Sequence, residues 1–262
     1  MTDFERLLGT VERAVAGAIA DCPRVAVAYS GGLDSTIVAF LARRYADVKC
    51  YTACTTDSYD SRNISIMAAE EEFDVEVIEL TKELITDLVI RAGRLLETDN
   101  LVSIGYAIPL LAAIEAAEED VILAGNGADE LFAGYAKYES ASDVSKLMKL
   151  DLKKALFELD RFCVYANNAH KRLAAPFAST EVIEVASAIS VRDELGRGGK
   201  KLVLREVAKE LGIHGWKRAK KAAQYSSGAT KAMGRIAKEQ GLSTGAWTEA
   251  LLTSESAQSS NR

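Results

Sequence analysis

Apolar positions fall into alternating helical and strand-like blocks over the first half of the chain. Phe4, Leu7, Leu8, Val11, Val15 and Ile19 share one side of an amphipathic helix predicted over residues 3–20. Residues 24–29, RVAVAY, are small or β-branched throughout and read as a strand buried on both faces. Ile37, Val38, Phe40, Leu41 and Tyr45 then return at helical spacing. A second strand over 48–55 and a second helix over 61–73 follow. Residues 75–80 alternate apolar with acidic side chains, the pattern of a strand nearer the sheet edge. A helix over 81–97 with Thr81 as its cap, a helix over 103–118 started or kinked by Pro109, and a buried strand over 120–124 complete the series. Strands alternating with helices of this length predict an α/β fold with a doubly wound, mostly parallel sheet.

Beyond residue 140 the strand signal fades. Leu147, Leu150, Leu156, Leu159 and Phe162 predict a helix over 143–167, and further helices are expected over 181–189 and 200–211. Residues 170–177 read as a proline-bearing connection, and 253–262 as a polar, flexible tail. The expected organisation is an α/β domain over 1–140, a helical region over 141–252 that completes the site, and that tail.

Composition narrows the class. Hydrophobic residues are 48% of the 262 and charged residues 27%, as in globular proteins, and no apolar run approaches membrane-spanning length. The opening residues lack a signal-peptide pattern, so a cytoplasmic location is expected. Four cysteines without a C-x-x-C pair, and only two histidines, imply reduced thiols and no structural metal. The net charge of −6 conceals an asymmetry. Residues 1–140 carry 11 Lys+Arg against 25 Asp+Glu (−14), and residues 141–262 carry 21 against 13 (+8). The basic half either faces phosphate or nucleic acid or is a set of solvated lysine-rich helices.

Two loops carry the candidate chemistry. Ser30-Gly31-Gly32-Leu33-Asp34-Ser35 joins a predicted strand to a predicted helix, so backbone N–H groups at the helix start face whatever occupies the turn. Glycines permit close approach, serines add hydroxyls, and the helix dipole favours an anion. The loop lacks the lysine of a G-x-x-x-x-G-K-[ST] cradle and has Asp34 instead. A carboxylate beside phosphates makes sense when it holds Mg²⁺; the bland alternative is a helix N-cap made by Asp34 or Ser30. Gly125-Asn126-Gly127-Ala128-Asp129-Glu130 also follows a predicted strand, as an acidic ligand loop or as an ordinary turn with an Asp cap.

The loop SGGLDS resembles the pyrophosphate-binding loop of the N-type ATP pyrophosphatases, and GADELFAGY resembles the corresponding loop in the synthetase domain of asparagine synthetases. Glu97-Thr98-Asp99, the Pro109 helix, Pro176-Phe177 and Leu204-Arg205 extend the likeness over roughly residues 20–235 in the family's order. The resemblance implies ATP and Mg²⁺ as cofactors. Ser30, Gly31, Gly32, Asp34 and Ser35 would hold the pyrophosphate, and Asp34 and Asp129 the metal. Ala124 and Gly125 would contact the adenylate, with Val27 and Ala53 beside the adenine. Lys220 or Lys221, with Arg218, would neutralise the phosphates as charge develops. The reaction implied is adenylation of a carboxylate, then attack by an amine to form an amide, with aspartate to asparagine as one instance.

Three departures bear on the acceptor. Position 2 is Thr2, not the cysteine of a fused glutaminase, so the nitrogen source would be ammonia, a separate glutaminase subunit or another amine. Asn126 stands where asparagine synthetases have glutamate and β-lactam synthetases tyrosine, and it cannot act as a base near neutral pH. The acid expected before Pro176-Phe177 is missing, and His170-Lys171-Arg172 fill that neighbourhood, which nominates Arg172 for a substrate carboxylate or phosphate. The partners implied are thus a small-molecule carboxylate and an amine source, with no membrane; a homo-oligomer stays open. Two rival readings are a tRNA-modifying enzyme of the same superfamily, with Cys54 as sulfur carrier, and a non-catalytic ATP-binding regulatory protein. Basic and aromatic residues are not interleaved, which disfavours nucleic acid.

Overall fold

The computed structural model describes residues 2–190, 195–196, 199–217 and 223–259. Its centre is a five-stranded sheet, parallel throughout, in the order β3-β2-β1-β4-β5. The strands are β1 Arg24–Ala28, β2 Asp47–Cys54, β3 Asp74–Glu79, β4 Val121–Leu123 and β5 Arg172–Ala174. Chain order runs outward from β1 to β2 and β3, then returns to the other side of β1 for β4. The strand order therefore reverses between β1 and β4, the position at which open α/β sheets bind ligands beyond the carboxyl ends of their strands. Val27 lies level with Leu123 across this pair, so both following loops leave the sheet side by side.

Helices cover both faces. One core packs α1 (Asp3–Ala18), α2 (Leu33–Ala42), α8 (Thr180–Ser187) and α9 (Leu202–Glu210) against the sheet. Leu7, Val11 and Val15 of α1 are fully buried there, and a capping box between Thr2 and Glu5 closes the helix start. The other core is built round α5 (Leu101–Ala116), which α4 (Lys82–Leu95), α7 (Val144–Asn168), α11 (Ala229–Glu239) and α12 (Thr244–Ser259) contact. That explains why α5 is apolar on all sides, with Ile104, Ile108, Leu111 and Ile114 fully buried. Asn100 caps it through Oδ1, which accepts from the N–H groups of Val102 and Ser103, and Pro109 lies in its interior.

The strand alternation read over 75–80 corresponds to β3 at the sheet edge, and Thr81 caps α4 as expected. Two expectations need correction. Residues 170–177 are not only a connection, because β5 within them adds a fifth strand beside β4, with Val121 level with Arg172 and Leu123 with Ala174. At three residues with one buried side chain, Leu173, it carries no periodicity to detect. The stretch 253–259, expected as tail, continues α12. Helices from beyond residue 140 enter both cores rather than forming a separate layer.

Candidate active site

A cavity of about 550 Å³ opens over the carboxyl ends of β1 and β4, lined by both candidate loops and by α5, α7 and the start of α9. The first loop is held by its own hydroxyls. Ser35 Oγ accepts from the Ser30 N–H at 3.2 Å and donates to Gly32 O at 3.1 Å. Gly31 has φ +65°, and a Cβ there would stand 2.6 Å from Met67 Sδ, so both its conformation and its packing call for glycine. The N-cap of α2 is Gly32, which contributes no side-chain bond. Asp34 and Ser30 are thus not caps, and the start of α2 faces the cavity, where the helix dipole favours an anion.

The second loop is pressed onto the first. Gly127, at φ +92°, is the N-cap of the short helix α6 (Ala128–Leu131), so Asp129 is not a cap either. Asp129 lies in the first turn of α6, and its carboxylate converges with that of Asp34 on one point. At that point stands the ammonium of Lys201. Its Nζ lies 2.5 and 2.6 Å from the two Asp34 carboxylate oxygens and 2.8 Å from Asp129 Oδ1. Lys201 is 3% exposed, and the two carboxylate side chains 16% and 17%. It precedes α9 in a left-handed conformation, φ +57°, just after the short antiparallel pair β6 (Leu195–Gly196) and β7 (Gly199–Lys200). The helical reading of 200–211 gave no signal that one of its lysines turns inward. That inversion comes from the left-handed backbone at the cap, which no spacing rule reports.

Beside this triad, Glu130 is 7% exposed and accepts a 2.5 Å hydrogen bond from the Tyr135 hydroxyl. Burial raises its carboxyl above the ordinary range, and the Tyr135 bond opposes that shift. Asn126 donates from Nδ2 to the Tyr106 hydroxyl at 2.9 Å, which fixes the amide rather than leaving it as a reacting group. Ser103 on α5, with Lys154 and Glu158 on α7, lines the same cavity; Lys154 Nζ donates to Ser103 Oγ at 3.2 Å. The sequence assigns no role to Tyr106, Tyr135, Lys154 or Lys201, and marks Glu130 only as a member of the acidic loop.

Of the nominated residues, Ser30, Gly31, Gly32, Asp34, Ser35, Ala53, Ala124, Gly125, Asn126 and Asp129 line the cavity. Val27 does not. It is fully buried in the core with α1 and α2, and Ala28 lines the cavity in its place. Arg218, Lys220 and Lys221 fall outside the described residues. Arg172 is exposed at the start of β5, the end of the sheet opposite the loops, and the 170–172 neighbourhood takes no part in the cavity. Lys171 donates to the carbonyls of Ile114 and Ala117 at the end of α5. Cys54 is buried and outside the cavity, its thiol pushed up by burial, unlike the exposed low-pKa thiolate a sulfur carrier needs.

No helix among the described residues is long and apolar enough to cross a membrane. Residues 6–175 match the family model described as asparagine synthase. A Methanocaldococcus jannaschii protein provisionally named glutamine-hydrolyzing asparagine synthetase 1 is 30% identical over 265 residues, covering 84% of this chain and 49% of that protein. Glutamine-hydrolyzing asparagine synthetase B of Escherichia coli K12 is 24% identical over 230 residues, covering 79% of this chain and 42% of that one. The chain thus spans about half the length, or less, of these curated relatives. Among solved structures, the U34-tRNA thiolase NcsA of Methanococcus maripaludis with its [4Fe-4S] cluster aligns over 97% of this chain and 80% of its own, at 16% identity and a TM-score of 0.40, too weak a likeness to carry an argument. With two strand-end loops at the switch point of a parallel sheet and a family match over most of the α/β region, the chain belongs to the asparagine synthase family of the N-type ATP pyrophosphatase superfamily.

Proposed function

We propose that the chain is an AMP-forming amide ligase. ATP adenylates a small-molecule carboxylate with release of pyrophosphate, and ammonia or another amine then displaces AMP. The observation that carries this reading is the convergence of Asp34 and Asp129, from the loops after β1 and β4, on one cationic point within 2.8 Å of each carboxylate. The residues fit Mg²⁺, which commonly binds through one or two carboxylates plus substrate phosphates and water. When bound, Mg²⁺ would offset charge on the departing pyrophosphate.

The chain's own groups account for the rest. The N–H groups at the start of α2, with Ser30 and Ser35, receive the β- and γ-phosphates. Gly125 lets the second loop close against α2, so that Ala124 and Gly125 flank the α-phosphate, and Ala28 and Ala53 leave room for the adenine. Arg218 and Lys220 or Lys221 supply further positive charge. On the acceptor side, Asn126, held by Tyr106, orients the carboxylate without exchanging a proton, and Lys154, Ser103 and Glu158 recognise the remainder of the acceptor. Ammonia or a separate glutaminase subunit supplies nitrogen in this reading, and aspartate is the first acceptor to try.

The test is incubation with ATP, Mg²⁺, ammonium and a panel of carboxylic acids, with products separated by mass spectrometry. AMP, pyrophosphate and an amide are expected together. ADP and phosphate as products, or ATP binding without turnover over the whole panel, would overturn the reading.

A further inference from the structure

Lys201 occupies the position that the two carboxylates would offer a divalent metal. Its ammonium reaches both oxygens of Asp34 and one of Asp129, and almost none of it is exposed to water. It is also tightly held. A Cβ on Gly134 would stand 2.5 Å from Lys201 Cε and 1.8 Å from Asp129 Oδ1, so the glycine packs directly over the pair. The backbone at Lys201 is left-handed, a conformation disfavoured for a side chain of this kind and sustained here by its surroundings. Among the described residues no cluster of three or more His, Cys, Asp or Glu could hold a metal ion alone. The site therefore has two acidic ligands and a resident positive charge.

A metal and an ammonium cannot both sit among the same three oxygens, because their mutual repulsion in a poorly solvated site is strong. From this, and resting on the ligase reading above, we infer that Lys201 excludes free divalent metal from the Asp34–Asp129 pair. The metal enters only with nucleotide, whose phosphates supply ligands for the metal and an alternative partner for the displaced ammonium. Lys201 is thus a positioning residue that imposes joint loading of metal and ATP.

Mn²⁺ serves as a spectroscopic substitute for Mg²⁺, with binding to the full chain followed by electron paramagnetic resonance and by water-proton relaxation. The wild-type protein should bind Mn²⁺ weakly alone and at least roughly tenfold more tightly with a non-hydrolysable ATP analogue. Lys201→Gln should bind Mn²⁺ alone at least roughly tenfold more tightly than wild type, and adding Asp34→Asn to that variant should remove the gain. Equal or weaker Mn²⁺ affinity in Lys201→Gln overturns the inference. So does wild-type protein that binds Mn²⁺ as tightly alone as with the analogue, a comparison that decides the matter should Lys201→Gln not fold. Failure of the ligase reading has a different signature, namely no amide product or no bound analogue, whereas the Mn²⁺-alone comparison between the two proteins does not depend on turnover.

Discussion

Gly125 in the loop just beyond β4 and Asp34 in the first turn of α2 are in such close contact that a Cβ on the glycine would stand 2.9 Å from the Asp34 Cβ and 3.1 Å from the Ser35 N. The atoms that would be struck are backbone or next to it, and cannot swing aside. Gly125→Ala should therefore push the two loops apart and cost about 1–3 kcal/mol, the usual penalty for overpacking. Thermal denaturation would show the loss. Pyrophosphate release should fall further than stability does, because the same displacement separates Asp34 from Asp129. Unchanged turnover in a folded Gly125→Ala protein would argue against a shared metal.

The buried triad predicts an unequal pair of variants. Asp34→Asn leaves Lys201 with Asp129 as its counter-charge, so the fold should survive. Pyrophosphate release should drop by about 100-fold or more, the scale on which a transition-state charge partner is worth several kcal/mol. Lys201→Met leaves two carboxylates facing each other in a largely buried site. Removing one partner of a buried ion pair costs about 3–5 kcal/mol, so its urea midpoint should fall well below that of Asp34→Asn. The reverse order would mean that the carboxylates do not depend on the ammonium.

Elements that are long or strongly patterned were legible in the sequence. The amphipathic α1, the doubly buried β1 and the alternating edge strand β3 each follow from periodicity, whereas the switch point between β1 and β4 comes from the order of the strands in the sheet, which chain order leaves open. The two loops were legible because glycine and acid at a strand end have few other uses. What stayed hidden depends on tertiary context. β5 exists because β4 offers it an unpaired edge, and Lys171 because α5 ends beside it with open carbonyls. Lys201 is one of many lysines in a basic half, and only its backbone conformation sends it inward.

Lys171 separates a structural role from an acceptor role. Its ammonium donates to Ile114 O at 2.7 Å and to Ala117 O, which closes the carboxyl end of α5 and complements the helix dipole there. Lys171→Met should lower stability by about 1–2 kcal/mol and leave the KM for the carboxylate acceptor unchanged. A raised KM with unaltered unfolding would return the 170–172 neighbourhood to the acceptor site.

The cysteines offer a check on sulfur-transfer chemistry. Cys50 is fully buried and its thiol is pushed up to about 12, and burial also raises Cys54. Thiolate is the reactive form, so iodoacetamide at pH 8 should leave both unmodified in the native protein and label them once it is unfolded. Peptide mapping by mass spectrometry reads this directly. Rapid native labelling of Cys54 would revive it as a carrier.

Glu130 should make stability depend on pH in a way its amide does not. Burial raises its pKa in the folded protein above the unfolded value of about 4.3. The folded state thus binds the proton more tightly, and the stability gained by that proton is complete below pH ~4.3. It is lost as pH rises through the folded pKa, where a charged carboxylate must be accommodated in a buried site. Glu130→Gln keeps an acceptor oxygen for the Tyr135 hydroxyl and carries no titratable proton. The difference in unfolding free energy between Glu130→Gln and wild type, measured in urea from pH 4 to pH 8, should therefore shift in favour of the variant as pH rises. Groups that do not interact with Glu130 titrate alike in both proteins and cancel. Parallel curves would mean that Glu130 ionises in place without penalty, with the nearby Lys201 ammonium balancing its charge as fully as water does.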